Sequence, residues 1–128
     1  MELRDIISEM LIKAGMNPKL HGFWYWKHAI ECEASGHKMS MRELYTEIAQ
    51  DKDALNWTSV EGAMRHALKK ALKEEKTDIC TWCYVGQNGN VSNQTFLAFS
   101  GIEAKKRFMD FQKKQQIKNA PPPTYIMI

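Results

Sequence analysis

Apolar residues recur along this chain at the three-and-four spacing of amphipathic helices. Leu3, Ile6, Ile7, Met10, Leu11 and Ala14 form the first run, and Gly15 followed by Asn17-Pro18 stops it. Phe23, Trp24, Trp26, Ala29 and Ile30 make a denser stretch that runs into Gly36, and Trp26-Ala29-Ile30-Glu33 fits a buried helix better than an alternating strand. Ser40 with Glu43 reads as a capping box, hydroxyl and carboxylate each satisfying an orphaned N–H, which predicts a third helix over about 41–50. Leu44, Tyr45, Ile48 and Ala49 form its apolar stripe. Thr58 with Glu61 repeats the box and predicts a fourth helix over about 59–74, with Val60, Met64, Ala67, Leu68, Ala71 and Leu72 on its inner arc.

Beyond Lys76 the periodicity fades. Ile79 to Val85 fits a short helix or an extended piece, and Gly86-Gln87-Asn88-Gly89-Asn90 reads as a turn. Phe96, Leu97, Phe99, Ile102, Ala104, Phe108 and Phe111 predict one or two final helices, with Ser92-Asn93 capping the start and Gly101 as a break. Pro121-Pro122-Pro123 cannot continue a helix, so 119–128 reads as an extended or disordered tail. The fold class is therefore all-α, a single domain of about six helices over 1–118. Its expected core is Leu3, Ile7, Met10, Leu11, Trp26, Ile30, Leu44, Ile48, Val60, Met64 and Leu68.

A chain of 128 residues, 44% of them apolar, can bury one core without disulfide or metal staples. The net charge of +3 is too small to identify a polyanionic partner by itself, so the placement of charge decides. Three cysteines and no basic-then-apolar leader point to a reduced, cytoplasmic protein. No stretch is apolar for long enough to span a bilayer.

Charge placement singles out the fourth helix. Its outer face carries Ser59, Gly62, Arg65, His66, Lys69, Lys70 and Lys73. Two short capped helices, the second basic outside, are what a helix-turn-helix requires: one braces, and the other enters the major groove. The same pattern also describes a helical hairpin with a solvated lysine face. Lys105, Lys106, Arg107, Lys113, Lys114 and Lys118 make a second basic cluster that reads as solvated surface or as phosphate contacts. Phe23-Trp24-Tyr25-Trp26 reads as core rather than as a base-stacking platform.

Enzyme chemistry has no foothold. Cys80-Thr81-Trp82-Cys83 has metal-ligand spacing but lacks a second ligand pair, so both cysteines are expected as free thiols, and no metal or cofactor is expected. No two of the four histidines stand at i, i+4, and His28 and His66 read as structural or DNA-facing rather than catalytic. Gly-rich phosphate loops and a G-x-S-x-G turn are absent.

Several separate blocks together resemble the C-terminal DNA-binding domain of the sporulation response regulator of endospore-forming bacteria, the stage zero sporulation protein A family. They are Ile6 to Gly15, the run Leu20-His21-Gly22-Phe23-Trp24-Tyr25-Trp26-Lys27-His28-Ala29-Ile30, Leu44-Tyr45-x-x-Ile48-Ala49, Val60-Glu61-x-Ala63-Met64-Arg65-His66-Ala67, and Ser92-Asn93-x-x-Phe96-Leu97-Ala98. The likeness extends over roughly 3–108, and Arg65-His66-Ala67 is its most specific part. It implies a six-helix domain that inserts its recognition helix into the major groove and binds promoter DNA as a homodimer or tandem copies. In that family arginines flank the Val-Glu pair, whereas here Ser59 and Gly62 do. Each bidentate Arg contact to guanine contributes about 1–3 kcal/mol of discrimination, so specificity should be relaxed or redirected. The turn before the recognition helix is about one residue longer, and the family's phosphorylation-gated receiver domain has no match in these residues.

The expected partner is thus double-stranded DNA, with bases read by Ser59, Glu61, Arg65 and His66 and phosphates held by Arg42, Lys69, Lys70 and Lys73. The competing reading is a protein-interaction module that keeps the fold without sequence-specific DNA reading, and Ser59 and Gly62 are the features that support it.

Overall fold

The computed structural model describes residues 1–119, which form five α-helices and one short 3-10 turn: α1 Leu3–Lys13, α2 His21–Ala34, α3 Met41–Asp51, α4 Trp57–Leu72, the 3-10 turn Ile79–Thr81 and α5 Asn93–Asn119. The described residues contain no strand.

The aromatic stretch makes α2 the central helix, packed against α1, α3, α4 and α5. Phe23, Tyr25, Trp26, Ala29 and Ile30 are all buried in it. Trp26 meets Phe96 of α5 edge-to-face at 4.7 Å between ring centroids, and Phe96 in turn meets Trp82 at 5.6 Å. Gly22 lets α2 approach α4 closely: a Cβ there would run into the Ala63 carbonyl and sit 2.7 Å from the Ala67 methyl. Ten of the eleven residues expected in the core are buried, each sheltered by an inward helical arc, while Leu3, the first residue of α1, is only half-buried.

Three expectations about the elements are corrected. The described residues hold five α-helices rather than about six, because Ile79 to Val85 yields only the 3-10 turn and α5 is continuous. Gly101 does not break α5: it is buried within the helix where α5 lies against Glu33 of α2. The fourth helix begins at Trp57, not near Ser59, and ends at Leu72. Asn56 is its N-cap, its side-chain oxygen accepting from the Ser59 N–H at 3.0 Å, so the Thr58–Glu61 box does not form. Of the Ser40–Glu43 box of α3 only the hydroxyl half forms, the Glu43 N–H donating to Ser40 Oγ at 3.1 Å, while the Glu43 carboxylate accepts from the Ser40 hydroxyl rather than from its backbone N–H. Apart from the backbone of Asn119, the tail expected over 119–128 lies outside the described residues.

Candidate nucleic-acid interface

The five residues Lys52 to Asn56 join α3 to α4. The Ala54 N–H donates to the Ala49 carbonyl at 2.9 Å, closing the end of α3 around Asp53, which adopts φ +55. The Asn56 cap then starts α4 abruptly, and also accepts from the Thr58 and Ser59 hydroxyls. Local sequence thus fixes where the basic helix begins.

Its facing is fixed from behind by two side chains. The Trp26 indole N–H donates to the Met64 carbonyl at 2.8 Å. Asn93, the first residue of α5, donates to the Tyr45 hydroxyl on α3 at 3.1 Å and to the Glu61 carbonyl on α4 at 3.3 Å. Its Oδ1 is buried without a partner among the described residues. Burial pushes the Tyr45 phenol above its ordinary pKa, against the opposing pull of the Asn93 amide. Val60, Met64, Ala67, Leu68 and Ala71 are buried by this arrangement.

The outer face that results is basic. Ser59, Arg65, His66, Lys69, Lys70 and Lys73 are exposed, and at ~100° per residue Ser59, His66, Lys69, Lys70 and Lys73 share one side. Gly62 lies among them, leaving a shallow floor. Glu61 and Arg65 sit on the flank and pair with each other one turn apart. Glu61 is half-buried, and the Ser59 hydroxyl already donates to Asn56, so neither group is as free as the sequence suggested. Arg42 stands 5.2 Å over the Trp57 ring, which brings its guanidinium to the start of α4. Within the second basic cluster Arg107 is committed, donating to Glu103 at 2.9 Å and lying 3.9 Å from Asp78.

The family description "Sporulation initiation factor Spo0A C terminal" matches residues 7–101, a span containing α2, α3 and α4 whole, with α1 from Ile7 on and the start of α5. The chain belongs to the Spo0A C-terminal family. That family is the DNA-binding domain of a sporulation response regulator and regulates transcription rather than catalysing a reaction. A comparison with curated proteins gives no match. No helix among the described residues is long and apolar enough to cross a membrane.

Within this Spo0A-type domain, sequence reasoning missed Asn56, Trp57 and Asn93 as residues that set the start, flank and facing of α4. Asn56 carried a signal, being a strong N-cap type directly ahead of an aromatic, but the Thr58-x-x-Glu61 pattern masked it. Asn93 looked like a cap, whereas Ser92 does that work, accepting from the Thr95 N–H at 3.2 Å. The three cysteines are free; burial pushes the thiols of Cys32 and Cys83 up to about 11, and Cys80 is exposed.

Proposed function

We propose that this chain is a transcriptional regulator, one unit over residues 1–118, that lays α4 in the major groove of double-stranded DNA as the second element of a helix-turn-helix, with α3 as the brace. The observation that carries this reading is the exposed row Ser59, His66, Lys69, Lys70 and Lys73 on a helix whose opposite face is locked by Trp26 and Asn93. A recognition helix needs both properties: a presented face and a rigid back.

Lys69, Lys70, Lys73 and Arg42 hold phosphates, which fixes register without reading sequence. Arg65, His66 and Ser59 face base edges, and Glu61 holds the Arg65 guanidinium ready on the flank. Tandem copies or a homodimer would extend the weak grip of one such module.

A gel shift with mixed genomic fragments at several salt concentrations tests the proposal. Four phosphate contacts predict a log K against log salt slope of about −3.6. The second reading, a protein-interaction module, draws on the Glu61–Arg65 pair and the occupied Ser59 hydroxyl, which take two polar groups away from the groove. It predicts no retained DNA at any salt.

A further inference from the structure

Where α2 meets α3, three side chains of different chemistry converge. His28 and Cys32 stand one turn apart on α2, and Glu47 faces them from α3. One ligating atom from each lies within 4.8 Å of the other two. His28 Nε2 is 3.5 Å from Glu47 Oε2, and Cys32 Sγ is 3.9 Å from the same oxygen. Tetrahedral zinc with bonds of about 2.0–2.3 Å spaces its ligand atoms about 3.3–3.6 Å apart, so these two edges are within about half an ångström of that figure. The third edge, His28 to Cys32, is no longer than 4.8 Å.

The other ring nitrogen supplies an independent pointer. His28 Nδ1 is 3.4 Å from Asp51 Oδ2, so a second carboxylate stands at the ring nitrogen other than the one facing Glu47. A carboxylate at that nitrogen, once it accepts the ring N–H, fixes tautomer and ring direction in histidines that bind metal through Nε2. Lys52 also approaches that Asp51 oxygen, at 3.3 Å. The three residues line an open cleft of about 380 Å³ with Glu31 and His37, which gives an ion an entry path and room for a fourth ligand.

We propose that His28, Cys32 and Glu47 bind a divalent transition-metal ion, with zinc the best match, that Asp51 is a positioning residue, and that the ion pins α3 to α2. The mixed nitrogen, sulfur and oxygen donors suit zinc and disfavour magnesium and calcium, which take oxygen alone. The site is separate from the face of α4 and does not depend on the DNA reading.

The test uses the full chain, reduced and stripped of metal, titrated with cobalt as a spectroscopic probe and then with zinc. One equivalent of cobalt should give a sulfur-to-metal charge-transfer band with tetrahedral d–d bands, zinc should displace it, and zinc but not magnesium should raise the melting temperature. Cys32→Ser should abolish the charge-transfer band, while His28→Gln, at a half-buried site, and Glu47→Gln, at an exposed one, should each weaken binding at least ~10-fold. Asp51→Asn should weaken it by about 10–100-fold while leaving the spectrum's shape intact. Cys80→Ser should change nothing. Absence of the charge-transfer band and of a zinc-dependent melting shift would reduce the cluster to an ordinary ion-pair network and overturn the proposal. So would a signal that survives Cys32→Ser and disappears with Cys80→Ser.

Discussion

The indole of Trp26 on α2 donates its N–H to the main-chain carbonyl of Met64 on α4, at 2.8 Å and inside the core. Both side chains are fully buried. Trp26→Phe removes the donor and leaves a gap beside Phe96, so it should lower stability by about 1–3 kcal/mol. Met64→Ala should cost about 2–5 kcal/mol by truncating a buried side chain. Urea unfolding midpoints check both, and unchanged midpoints would mean that α4 faces another way.

Arg65 distinguishes base reading from phosphate binding. Arg65→Ala should cost about 1–3 kcal/mol on a preferred site selected from random DNA, and little on unselected DNA. Equal losses on both, with a flatter salt dependence, would assign it to a phosphate. No loss on either would favour the protein-interaction reading. Because Glu61 pairs with this guanidinium, Glu61→Gln should alter site preference more than overall affinity.

Gly62 lies in the middle of α4 with open space beside it: the nearest atom to an added Cβ is Arg65 Nη2, at 3.9 Å. Gly62→Ala should therefore stabilise the fold by up to about 1 kcal/mol, the helix-propensity difference between the two residues. The check is again the urea midpoint, and a drop would contradict the open surroundings.

Tyr45 gives the fold an alkaline limit. Its folded pKa is raised, by burial first, above the ordinary value of about 10, so between those two values the folded phenol keeps a proton that the unfolded one has lost. Its contribution is whole below about pH 10 and declines as pH rises through the folded value. Tyr45→Phe should cost about 0.5–1.5 kcal/mol at neutral pH and make the decline above about pH 10 shallower. Denaturation of both proteins over a pH series measures this; parallel curves would refute it.

The helices that bury one face were readable because 3.6-residue periodicity writes that face into the sequence: Ile7, Met10, Ile48 and Met64 are buried as expected. The start of α4 was misread because two capping signals lie two residues apart, and a string of residues does not say whether the Asn56 amide caps the Ser59 N–H or the Thr58 hydroxyl caps the Glu61 N–H. Gly101 was misread for a similar reason. A glycine that ends a helix and one that lets another helix approach look alike until Glu33 is seen against it. Arg65 and Glu61 were legible as neighbours at i, i+4, but their ion pair was not weighed. The contacts of Asn93 with Tyr45 and Glu61 span 48 and 32 residues of chain, and local pattern contains nothing of that range. His28 and Glu47 likewise meet only once α2 and α3 have packed.

Asn93 joins α3, α4 and the start of α5 at one partly buried point, so these segments cannot loosen one at a time without breaking a hydrogen bond there. In native-state hydrogen exchange the inner amides of α3 and α4 should share a single opening free energy and behave as one cooperative unit. The last turns of α5 stand apart from this unit, since Gln112 to Lys118 are all exposed. Their amides should exchange first, leaving the basic face of α4 framed by the slowest part of the molecule.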